Sequence, residues 1–151
     1  MATLELWVNE VVSSSVKWTE VGAVPQLDTQ NQPTQYIYTT GRKDTSDVYG
    51  FTDSGHTTES ITSVFLYVYS ETVATSDFTT TINATDTGLT PATTWGWTNV
   101  DVSSILTTWA GIDAATLYFH RANTTNLSNI DAAYLYVTYV AVVPTAYITH
   151  Q

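Results

Sequence analysis

The chain contains no cysteine, so disulfides and cysteine-ligated zinc sites are excluded. Positive charge is almost as scarce: Lys and Arg together number 4 against 14 Asp and Glu, a formal net charge of −10. A phosphate backbone would be repelled by such a surface, which excludes nucleic-acid binding through a basic patch. An anionic bilayer surface is disfavoured for the same reason. No apolar run approaches the length needed to cross a membrane as a helix. His56, His120 and His150 lie far apart with no His-x-x-x-His pair, which argues against zinc. Charged residues of both signs make up only 12% of the chain, well under the roughly 25% of an average soluble domain.

What replaces charge is threonine, serine and asparagine on the polar side and aromatic rings on the apolar side. Hydrophobic residues reach 43% and aromatics 13% in 151 residues, enough for the core of one domain of ordinary size. Acidity then serves first to keep an aromatic-rich β protein dissolved. The N-terminal MATLELWVNEVV lacks the basic, apolar and small-residue segments of a secretory signal, so the chain is expected either to be made in the cytosol or to be a fragment with a start Met added.

A period of two recurs along the chain and sustained helical periodicity does not. Strands are predicted over 3–12, 16–21, 36–39, 48–52, 63–69, 78–83, 97–102, 115–120 and 133–140. In Ser63–Tyr69, Val64, Leu66 and Val68 form one face, and Phe65, Tyr67 and Tyr69 the other. In 133–140, Leu135 and Val137 stand opposite Tyr134 and Tyr136. Segments 22–34 and 84–94 read as loops. Ser103 is placed as the N-cap of a single helical turn over 104–109, closed by Gly111. Short strands at this spacing predict an all-β fold: a single antiparallel β-sandwich of jelly-roll type over residues 1–140, with one short helical turn. Residues 141–151 then form a tail docked on the body or on a neighbouring subunit.

The blocks ITSVFLYVY, WTNVDVSSILTTWAG and AAYLYVTY resemble the DNRLRE domains, jelly-roll modules of bacterial and archaeal surface proteins. Asp101-Val102-Ser103 stands where that family has Asp-Val-Thr. The resemblance covers roughly the last ninety residues and implies a fold, because it is a core pattern and not a functional signature. A small Thr-rich β-sandwich read without a leader is also similar in class to decoration and head-fibre proteins of tailed phages. That analogy implies a virion structural protein bound to capsid protein or to its own copies, with a trimer the natural symmetry on a capsid.

Candidate sites follow from the aromatic residues. Tyr67, Tyr69, Tyr118, Tyr134 and Tyr136 occupy second-face positions that Thr, Lys or Glu would normally hold. Either another layer covers them or they meet a partner, for which a large ring with a hydroxyl is well suited. Val142, Val143, Tyr147 and Ile148 extend that expected interface into the tail. Trp95 and Trp97 are candidates for stacking on the rings of a surface glycan, the alternative reading of a carbohydrate-binding module or adhesin. Against it, Trp97 and Trp109 are expected to fill the end of the core.

Asp44, Asp47 and Asp53 lie in an oxygen-rich stretch able to hold calcium, but without the D-x-D-x-D-G register. Turn aspartates ordinarily bond their own backbone instead. Asn83, Asn123 and Asn126 head formal glycosylation sequons read here as Thr-rich loops. No paired carboxylates and no spaced nucleophile and base stand out, so the chain is read as a binding protein and not an enzyme, with no cofactor.

Overall fold

The structure, a computed structural model, describes residues 1–13, 18–21, 36–39, 46–121 and 126–142. Within them the chain forms strands β1 (Ala2–Ser13), β2 (Thr19–Val21), β3 (Tyr36–Thr39), β4 (Val48–Phe51), β5 (Ser60–Thr72), β6 (Phe78–Ile82), β7 (Thr85–Asp86) and β8 (Gly96–Asp101). A short helix α1 (Trp109–Asp113), β9 (Thr116–Arg121) and β10 (Ser128–Val140) follow.

All pairings are antiparallel. The first sheet runs from the leading half of β1 through β10 and β5 to β8, with β3 and β2 added beside the start of β10. The second runs from the trailing half of β1 through β4, β9 and β6 to β7. β1 therefore changes sheet between Trp7, opposite Tyr134, and Val8, opposite Phe51, and its register shifts just beyond, between Val8 and Glu10. A shift of this kind bends a strand and lets it serve both layers. Setting β2 and β3 aside, the pairs nest: β1 with β10, β4 with β9, β5 with β8, β6 with β7. That nesting, folded over into two sheets, is the jelly roll.

The period of two decides which side chains meet between the layers. Leu6, Val64, Leu66, Val68, Leu135 and Val137 point inward from the first sheet and are essentially inaccessible. They face Tyr49, Phe51, Phe78, Ile82, Leu117 and Phe119 of the second. Burying one such side chain stabilises the fold by roughly 1.5–3 kcal/mol. β5 and β10 share the longest ladder, from Ser128 opposite Thr72 to Val140 opposite Ser60, with Asp131 displaced by a bulge.

Two local expectations are corrected. Ser103 does not cap a helix over 104–109. Its hydroxyl instead accepts the Val64 N–H at 2.9 Å, and its own N–H donates to Asp101 at 2.8 Å, which ties the turn to β5. The helix starts later, at Trp109, capped by Thr108, whose hydroxyl accepts the Gly111 N–H at 3.0 Å. Gly111 is thus inside the helix and does not close it. The start is displaced because Leu106 is drawn into the core and the Trp109 indole N–H is held by the Glu59 carbonyl at 2.8 Å.

The second correction concerns 84–94, read as loop throughout. Asn83 and Ala84 both adopt positive φ, 50° and 65°, and reverse the chain so that Ile82 faces Thr85 in a two-residue hairpin. The Asn83 carboxamide oxygen also accepts the Thr116 N–H at 3.0 Å, so this sequon residue is a turn element.

Candidate functional site: an aromatic face on the first sheet

Cross-strand register lines up the outward side chains of the first sheet in ranks. The first rank reads Glu5, Tyr136, Phe65, Asp101; the second Trp7, Tyr134, Tyr67, Asn99; the third places Tyr69 beside Trp97. Directly opposed residues on one face stand about 4.5–5.5 Å apart, close enough for large rings to touch. They do. Tyr67 and Tyr134 stack at 4.9 Å with planes 3° apart, and Trp7 lies over Tyr134 at 4.6 Å. Trp97 crosses this row nearly at right angles, 5.2 Å from Tyr134 and 5.9 Å from Trp7. Tyr69 touches Trp97 at 5.2 Å and stacks on Trp95 at 5.6 Å, which carries the cluster into the loop before β8. Each such pair adds about 0.5–1.5 kcal/mol beyond its area.

These rings are half-exposed, and Trp97, 36% exposed, is the most open of them. The expectation that Trp97 fills the end of the core is therefore overturned. Its partner across the ladder is the outward Tyr69, and parity places both on the same side. Trp109 does meet that expectation, at 5% exposure.

Polar groups frame the face. The Trp7 indole N–H donates to Glu5 at 3.3 Å. Asp101 is held below its ordinary range by hydrogen bonds from Ser103. The Tyr134 hydroxyl is pushed up by burial and then by the charge of Glu5. Beyond Tyr69, the surface continues into a cleft of about 250 Å³ lined by Glu71, Thr93, Leu127 and Asn129.

Of the five second-face tyrosines named from sequence, Tyr67, Tyr69, Tyr134 and Tyr136 come together here. Tyr118 does not: β9 belongs to the second sheet, where Tyr118 stands opposite Thr81. Trp95 joins the cluster with Trp97. The face also includes Trp7 and Phe65, which are not among the sequence candidates, although Trp7 shares the polar parity of β1 with Glu5 and Asn9. Val142 is 63% exposed; Val143, Tyr147 and Ile148 lie outside the described residues, as does the proposed docking of the tail.

Asp44 is likewise outside them. Asp47 and Asp53 sit at opposite ends of β4. An extended strand rises about 3.3 Å per residue, so these two cannot share one cation. Among the described residues no group of three His, Asp or Glu side chains is arranged for a metal. His150 is not among them, and His120 is exposed on β9.

A second ring cluster closes one end of the sandwich. His56 stacks on Trp109 at 4.8 Å and meets Tyr139 at 4.7 Å. Its Nδ1 lies 2.7 Å from the Glu59 carboxylate, and this bond is the main reason Glu59 is held below the usual carboxylate range. A cleft of about 300 Å³ beside it is lined by His56, Thr108, Trp109 and Asp113.

No family model matches the chain, and no curated protein does. Two solved structures align over most of it. One is the CBM36-1 domain of a multidomain xylanase from the hindgut metagenome of Trinervitermes trinervoides, with 11% identity and a TM-score of 0.48, covering 93% of this chain and 100% of that one. The other is CBM35 from Cellvibrio japonicus Abf62, with 15% identity and a TM-score of 0.47, covering 91% and 93%. Likenesses of this size carry no function across, and the jelly-roll assignment rests on the nested strand pairing itself.

Proposed function

We propose that this protein is a non-catalytic carbohydrate-binding module that holds a glycan on the outer face of its first sheet. The observation that carries the reading is the continuous ring surface of Trp7, Tyr134, Tyr67, Trp97, Tyr69 and Trp95, left open and bordered by hydrogen-bonding groups. A sugar ring has an apolar C–H face and a hydroxyl edge. The ring surface covers the first, and Glu5, Asn99, Asp101 and Glu71 accept from or donate to the second. Binding sites of this kind combine an apolar lining with a few placed polar groups.

Truncating Trp97 to alanine tests it. Trp97 is outside the interior cluster, so the fold should persist, as checked by circular dichroism. Glycan affinity should fall by about thirtyfold, the equivalent of roughly 2 kcal/mol for a central aromatic contact. A wild-type chain that binds no polysaccharide in affinity electrophoresis, or a Trp97→Ala chain that binds as well as wild type, removes the reading.

The virion-decoration role expected from class analogy would set the same face against a capsid lattice or a second copy. Jelly rolls serve many functions, so the fold lends that role no weight. The kinship with DNRLRE domains likewise remains a resemblance of core pattern.

A further inference from the structure

We infer that the ring face selects uncharged glycans and rejects acidic ones, an inference that rests on the glycan-binding reading of that face. The argument is the distribution of charge. Glu5 and Asp101 stand at the two ends of the first rank, one on β1 and one on β8, with Tyr136 and Phe65 between them. Glu71 stands further along β5 on the same side, two positions beyond Tyr69. A ligand lying across the rings is thus bracketed by carboxylates.

Nothing offsets them among the described Lys and Arg side chains. Arg121 is the one present there, and it is wholly buried, with its guanidinium on the Asn126 carbonyl. The whole chain carries a formal charge of −10. A polyuronate or sulfated chain would bring further negative charge within a Debye length, about 8 Å at physiological salt, of several carboxylates. A neutral glycan meets no such barrier, and its hydroxyls donate to those same carboxylates. Hydrogen bonds with one charged partner are the stronger kind. The same border disfavours a second copy of this chain on the face, because identical carboxylates would oppose each other.

Calorimetry on the full chain separates the possibilities, using a neutral β-glucan, polygalacturonate and chitosan as probes at low salt and at about 0.5 M NaCl. The neutral glucan should bind with an affinity that changes less than about twofold with salt, and polygalacturonate should not bind at low salt. In the double variant Glu5→Gln, Glu71→Gln, polygalacturonate should show detectable binding at low salt. Gln retains an acceptor for the Trp7 indole and for the Asn129 amide, so both local contacts survive. Asp101 is left in place because it holds the turn at Ser103. Polygalacturonate binding as tightly as the neutral glucan at low salt, or cationic chitosan binding no tighter at low salt than at about 0.5 M NaCl, overturns charge selection and leaves the ring-face reading standing. Binding of none of the three overturns both.

Discussion

The carboxylate of Asp101 accepts the Ser103 N–H at 2.8 Å, and the Ser103 hydroxyl in turn accepts the N–H of Val64. One acidic side chain therefore sets the turn that leaves the edge strand β8 and pins that turn to the central strand β5. Hydrogen bonding holds Asp101 below its ordinary value of 3.8. The sign follows from linkage: a carboxyl depressed in the folded state stabilises it above the unfolded pKa, and that contribution disappears as pH falls through the folded value. Replacing Asp101 by Asn should lower the thermal midpoint at pH 7, and the difference from wild type should shrink below about pH 4. A difference independent of pH would mean that charge is not what the turn uses. The residue was legible in sequence as part of an Asp-Val-Ser turn. Its role was not, because Val64 lies far away along the chain.

At the level of elements, the hairpin joining β6 to β7 shows how a turn is built from residues that fit it unequally. Both central positions need positive φ, which Asn tolerates and Ala does not. Ala84→Gly should therefore stabilise the protein by about 1 kcal/mol in urea denaturation, with an unchanged m-value. If stability instead falls, the left-handed conformation at residue 84 is wrong. Asn83-Ala84 carries no glycine, so this turn lacks the Asn-Gly or Asp-Gly signal by which a two-residue hairpin is legible in sequence. Strands β5 and β10 were plain in the sequence because alternation of Val and Leu against Tyr needs no distant information. The helical turn was legible only as to existence, since its start depends on where Leu106 and Trp109 find their burial.

For the whole molecule the decisive terms are the nested topology and the surplus of negative charge. Nesting brings β1 and β10, from opposite ends of the chain, side by side in the first sheet. That is how Trp7 comes to rest on Tyr134. A net charge of −10 on one domain opposes compaction through self-repulsion, which added salt screens. Raising NaCl from about 0.02 M to about 0.5 M should lift the thermal midpoint by a few degrees, about 1 kcal/mol or less in a domain of this size. A midpoint that falls with salt would show that attractive ion pairs outweigh the repulsion.

Composition and period alone settled that this chain folds as an antiparallel β protein with aromatic side chains on both faces of its strands. They could do so because the pleat alternates every residue and each strand reports its own two sides. Which strands lie together was decided only by the tertiary fold. The second-face tyrosines therefore split, with Tyr118 left on the other sheet while Trp7 and Trp97 joined the ring face. Register is a property of pairs of segments, and no single segment contains it.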